Sequence, residues 1–194
     1  ALTLLALSEG EARFAAAALS APMLGVVSDS WGYPFARALA WGCAHLGLST
    51  RYLFGDPAGP FEVTFDQDRL GHERWRWDRY RAQITACPDL ALGNLTWGWL
   101  DFAMQLSARL RRRGAVEGID IPVLVVGAGD DNRVLTSVTA AISRRLKHGR
   151  YIEVAGAYHE ILQETDAIRA VWWSAFDELA AGVVSKPAVT SPSA

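Results

Sequence analysis

Two cysteines in 194 residues leave that side chain little to do. Cys43 and Cys87 match no metal-ligand spacing and give no disulfide framework, so a reducing cytoplasm is the expected compartment. No run of 18 apolar residues occurs, which excludes a membrane-spanning helix. Nineteen basic residues face 21 acidic ones, so no global field selects nucleic acid or an acidic membrane. A metal site is not expected either. His72-Glu73 lacks the second histidine of a zinc helix and His72 reads as a surface residue, and His45 and His148 have no flanking motif that supports a role. Gly127-Ala128-Gly129 lacks the third glycine of a dinucleotide fingerprint and reads as a tight turn at a strand end. No cofactor is expected. The first residue is not Met, and no charged segment precedes the apolar Leu2 to Leu7, so a signal peptide is a poor reading of this start.

What is present is enough apolar residue, 51%, for one good core. Leu2 to Leu7 reads as a helix interior closed by Gly10. From Gly25 to about Gly114 the chain is rich in Trp, Gly and Pro and shows helical patterns but no clear strand. Helices are expected over 35–46, 69–86 and 98–112, with a Gly- and Pro-rich loop at 55–60. In the second helix Leu70, Trp77, Tyr80 and Ile84 share one face, and most of Arg74, Arg76, Arg79 and Arg81 project elsewhere. A packed helix with a solvated basic face is preferred there to a nucleic-acid patch. Contact of its Trp and Arg with lipid aggregates stays open. Arg111 to Arg113 complement a helix C-terminus.

Ile121 to Val126 is a short apolar run after a proline boundary, and it ends in glycines and the acidic pair Asp130-Asp131. This is the pattern of a buried parallel strand. A helical segment follows, then a second strand at 151–154, a turn with Gly156, and His159. In the last helix Ile168, Val171, Trp172, Phe176 and Leu179 are expected to bury against the sheet, with Trp173 off that stripe. Lys186 to Ala194 is expected to be disordered.

An acid after one strand and a histidine after the next resembles the acid–base half of an α/β-hydrolase, whose triad runs Ser, then Asp or Glu, then His along the chain. Five strings in order resemble the bacterial lysophospholipase L2 and monoacylglycerol lipase-like α/β-hydrolases: 20–24 (Ser-Ala-Pro-Met-Leu), 88–93, 96–100, 121–125 and 159–166. The resemblance covers residues 1 to about 182. It implies an α/β-hydrolase fold, with core segments at 1–24 and 115–183, a helical cap at 25–114 and a disordered tail at 184–194. It also requires a strand within 13–20, where alanine content alone would suit a helix.

On the matching positions the triad acid would be Asp131 and the base His159. Asn132 stands where the family usually continues from Asp into Arg, so Asp130 is the alternative acid, although counting from Pro122 favours Asp131. Met23, Leu24 and Trp97 are candidates to line an acyl-chain pocket, with ordinary packing as the equal alternative. No Gly-x-Ser-x-Gly elbow is present, since Ser28 to Gly32 lacks its first glycine and reads as a loop. Ala1 would fall just after the nucleophile elbow, and the chain is expected to be a fragment, inactive without the serine.

The implied whole protein is a serine hydrolase of monoacyl lipid esters, cytoplasmic, with peripheral contact with membrane or lipid aggregates left open and oligomeric state unassigned. A non-catalytic lipid- or partner-binding remnant is the alternative. A haloperoxidase- or epoxide-hydrolase-like enzyme on the same fold is a third reading, to be decided by the upstream nucleophile.

Overall fold

The computed structural model describes residues 1–26, 32–53 and 63–185. Its centre is a three-stranded parallel sheet of β1 (Ala17–Ser20), β2 (Val123–Ala128) and β3 (Gly149–Val154), in that spatial order. Seven helices accompany it among the described residues. They are α1 (Leu2–Ser8), α2 (Tyr33–Cys43), α3 (Phe65–Asp68), α4 (Arg74–Ala86), α5 (Trp97–Leu110), α6 (Thr136–Ser143) and α7 (Asp166–Val184). The expected readings of 28–31 and 55–60 as loops, and of 186–194 as disordered, lie outside the described residues.

β2 is buried at every position, as a central parallel strand must be. Alternation sends its side chains to two separate cores. Val123 and Val125 pack with Leu4, Leu19, Leu106, Leu110 and Ile142 on one face, while Leu124, Val126 and Ala128 pack with Val154, Trp172 and Ala175 on the other. α7 thus covers one face, and α1, α5 and α6 cover the other. The expected strand is shorter than 13–20 because of Pro122. Ala17 N–H donates to the Pro122 carbonyl, but extending the parallel ladder backwards would need an N–H from Pro122, which has none. Residues 13–16 therefore leave the sheet, and Arg13 pairs with Glu11 at the surface.

Several boundaries also differ from the sequence reading. The helix expected from Arg69 begins at Arg74, because Arg69 adopts a left-handed conformation (φ 48°) that ends α3. α2 runs into a π-helical turn at Ala44–Leu48, with Gly47 at φ 88°. Val184, assigned to a disordered tail, is the last residue of α7. In that helix Val171 is 41% exposed and the buried side is centred on Trp172 and Ala175, about 100° further round the helix. Trp173 makes edge-to-face contacts with Trp172 and Phe176.

Among its described residues the segment between β1 and β2 holds helices and no strand beyond isolated bridges such as Tyr52 with Thr96. It is not set apart from the sheet, because α5 buries Leu106 and Leu110 in the same core as α1 and β2. Its C-terminal carbonyls are satisfied by a distant side chain. Arg145 donates to the carbonyls of Leu110, Arg111 and Arg112 and is itself held by Glu117 at 2.9 Å. That pairing pulls the Glu117 carboxyl down to about 2. The basic run at 111–113 thus supplies carbonyls to a cation, and the cation itself comes from α6's end.

Candidate active site

The two loops that follow β2 and β3 lie side by side because parallel neighbours end at the same edge of the sheet. Backbone bonds stitch them together. Gly129 N–H donates to the Val154 carbonyl at 2.9 Å, and Asp130 N–H to the Ala157 carbonyl at 2.9 Å. Glycine at 129 allows this close approach, since a Cβ there would lie 3.0 Å from both Ala155 Cα and Val154 O and would press on the backbone of the other loop. Gly156 turns the second loop through a left-handed conformation, φ 72°.

This crossing brings Asp131 and His159 together. His159 Nδ1 lies 2.8 Å from Asp131 Oδ2. The other carboxylate oxygen, Oδ1, accepts the backbone N–H groups of Arg133 (2.8 Å) and Val134 (3.0 Å). The Asp131 side chain is sealed from solvent, and the His159 side chain keeps 23% of its surface exposed. Burial alone would raise the Asp131 carboxyl. The bonds from His159, Val134 and Arg133 outweigh burial and hold it below its ordinary value of 3.8. Since an ionised carboxylate only accepts, the imidazole proton sits on Nδ1 and leaves Nε2 as the basic nitrogen. Asp130, the alternative acid, is exposed, and its backbone rather than its side chain faces the histidine loop.

The helical insertion meets both loops. Asn132 Nδ2 reaches the Arg69 carbonyl at 3.4 Å, Arg133 donates to the Asp68 carbonyl at 3.2 Å, and Glu160 N–H donates to the Leu70 carbonyl at 2.8 Å. His72 is not the plain surface residue expected. Its ring, 40% exposed, stacks on Tyr158 with centroids 3.9 Å apart and pairs through Nδ1 with the fully buried Glu164. Arg76, grouped with the solvated arginines in the sequence, is 3% exposed and donates to the Glu164 carbonyl and the Asp166 carboxylate, each at 2.5 Å. Glu164 falls within the 159–166 string, but nothing there marks it as buried, because a single carboxylate in a loop has no periodicity.

A cleft of about 230 Å³ lies beside this contact, lined by Leu70, Trp77, Tyr80, Glu160 and Gln163 among others. None of Met23, Leu24 and Trp97 lines it. Leu24 is completely enclosed in the core and offers no surface to a ligand here. Met23 is half-buried after β1, and Trp97 opens α5, also half-buried. Among the described residues no cluster of His, Cys, Asp and Glu could hold a metal ion. No described helix is long and apolar enough to cross a membrane.

The family model of the serine aminopeptidases, S33, matches residues 1–166. Lysophospholipase L2 of Escherichia coli (strain K12) is 30% identical over 166 residues, which is 80% of this chain and 47% of that protein. The chain spans about half the length of the curated relatives it matches. Among solved structures, a soluble variant of monoglyceride lipase from Saccharomyces cerevisiae, in complex with a substrate analog, superposes with TM-score 0.67 at 15% identity. The match covers 94% of this chain and 61% of that one. Paleococcus ferrophilus monoacylglycerol lipase gives TM-score 0.61 at 16% identity, over 92% of this chain and 63% of that one. The sheet and its flanking helices are therefore part of an α/β-hydrolase fold.

Proposed function

This chain belongs to the serine aminopeptidase S33 family, and on that premise we propose that the whole protein is a serine hydrolase of monoacyl lipid esters, lysophospholipids or monoacylglycerols. The observation that carries the reading is the 2.8 Å bond between His159 Nδ1 and a carboxylate that is itself buried and twice hydrogen-bonded. Support for the substrate class comes from the lysophospholipase and monoglyceride lipases to which the chain is similar.

In this mechanism Asp131 fixes the Nδ1–H tautomer and stabilises the imidazolium that forms. Nε2 accepts the proton of a serine hydroxyl supplied upstream of these residues, and the serine oxygen bonds to the ester carbonyl carbon. The tetrahedral species collapses by breaking the bond to the alcohol, which leaves with the proton from Nε2. Water then repeats the sequence on the acyl-enzyme: His159 takes its proton, the hydroxide oxygen bonds to the acyl carbon, and the serine oxygen leaves with that proton. The insertion at 25–114, helical in its described elements, acts as a cap over the acyl chain, with Met23 and Trp97 as proposed lining of the acyl pocket and Leu24 supporting Met23 from the core. Contact of the insertion with lipid aggregates, through exposed Trp75 and the Arg79 beside it, belongs to the same proposal.

The test is hydrolysis of a monoacylglycerol and a lysophospholipid by the complete protein and its His159→Ala variant. The variant should lose on the order of 10⁴-fold or more in kcat with its melting profile retained. Near-normal ester turnover in the variant would remove the assignment.

A further inference from the structure

Glu164 is the largest investment in buried charge that the triad chemistry does not explain. Its side chain is wholly inaccessible, yet it lies in the loop between His159 and α7. Four N–H groups surround its two oxygens. Oε1 accepts from His72 Nδ1 (2.8 Å) and from the Tyr158 backbone (2.8 Å). Oε2 accepts from the His72 backbone (2.9 Å) and the Thr165 backbone (3.2 Å). Each oxygen is thus shared between the helical insertion and the histidine loop. Tyr158, one of the four donors, immediately precedes His159, and its ring is stacked on His72. Arg76 closes the arrangement from α4 by binding the Glu164 carbonyl.

From this geometry we propose that Glu164 is a positioning residue for His159, clamping the histidine loop to the insertion so that the imidazole meets Asp131 only when the insertion is docked. The proposal rests on the hydrolase reading for its effect on turnover, but not for its effect on the His159 ring. A buried carboxylate with a full set of donors is rigid, because every lone-pair direction in use is fixed by a backbone or ring N–H. The insertion supplies two of those donors, so moving it away strips half the bonds from the group that fixes Tyr158. Glu164→Gln nearly preserves shape but replaces one oxygen by NH₂. Turned toward the Oε2 position, that NH₂ faces two backbone N–H donors; turned toward Oε1, it is accepted only if His72 moves its proton off Nδ1, and the Tyr158 N–H is left unpaired.

The experiment compares full-length protein with its Glu164→Gln variant, each labelled with ¹⁵N-histidine, by long-range ¹H–¹⁵N NMR of the imidazoles. The His159 signal is identified by its loss in His159→Ala. In the wild type, neutral His159 should be held as the Nδ1–H tautomer; in Glu164→Gln it should become a mixture of tautomers. Ester hydrolysis should fall on the order of 10- to 100-fold in kcat with KM little changed, as for a base displaced without loss of substrate contacts. An unchanged tautomer and wild-type kcat would overturn the clamp. Should Glu164→Gln fail to fold, His72→Phe decides, since it keeps a ring on Tyr158 and removes only the Nδ1–H bond. The same shifts in tautomer and kcat, smaller in size, support the proposal, and wild-type values overturn it. If the wild-type protein hydrolyses no ester, the functional reading fails, and the tautomer comparison still decides the clamp.

Discussion

At Asp131 the choice between two adjacent carboxylates becomes a difference in what each can reach. Sequence alone offered Asp130 and Asp131 one bond apart, separated only by a count from Pro122. In the structure one is enclosed and bonded to the imidazole, and the other is exposed, with its backbone tied to the Ala157 carbonyl. Asp131→Asn in the complete protein should cost on the order of 10⁴-fold in kcat, because an amide at this site can donate to Nδ1 and favour the wrong tautomer. Asp130→Asn should stay within a few-fold of wild type. Kinetics of the two variants check this, and the reverse pattern would reassign the acid. A pH dependence follows from the same bonds. The folded carboxyl titrates below 3.8, so its contribution to stability is complete above about pH 4 and is lost as pH falls through the lowered value. Thermal melts of wild type and Asp131→Asn between about pH 2 and 6 should therefore converge at the acid end.

Between residues and the fold stand the loops, and here the glycines after β2 carry different constraints. A Cβ on Gly127 would lie 2.6 Å from Tyr151 Oη, the far end of a side chain that can swing aside. A Cβ on Gly129 would press on the backbone of Val154 and Ala155, which cannot move without shifting the histidine loop. Gly129→Ala should thus cost about 1–3 kcal/mol in stability and also reduce turnover, and Gly127→Ala should cost less and leave kcat near wild type. Denaturant titrations with parallel kinetics test the pair; equal effects on kcat would show that the loops are not coupled through Gly129. Element types were legible where a period repeats: the buried run of β2, the three longer helices of the insertion, and α7. What was not legible had local or long-range causes. The left-handed Arg69 sets the start of α4, the missing N–H of Pro122 shortens β1, and Arg76 follows the polar period of its helix yet is buried by partners about 90 residues away.

For the molecule as a whole, the two cores and the β1 edge of the sheet, one of its two edges among the described residues, set what the chain can do by itself. Among the described residues β1 is paired with β2 on one side only. Ala17 and Ala21 donate across to β2, so strand alternation turns the N–H groups of Ala18 and Ser20 to the open side. An open edge of this kind recruits another strand, and exposed apolar groups such as Leu2, Phe14 and Phe35 add to the tendency. The candidate pair of acid and base was legible in the order of the chain, since strand, acid, strand, histidine is a linear pattern. The clamp at Glu164 was not, since it joins residues 72 and 164 through a contact that no local spacing encodes. Both facts bear on the 194 residues expressed alone. They should self-associate in size-exclusion chromatography at micromolar concentration, and substituting Ala18 by Pro, which removes one open-edge N–H without touching the β2 ladder, should reduce that association. A cooperatively melting monomer would instead mean that the edge is protected and the unit self-sufficient. That result would favour the non-catalytic binding reading over a hydrolase that completes its sheet with a further strand.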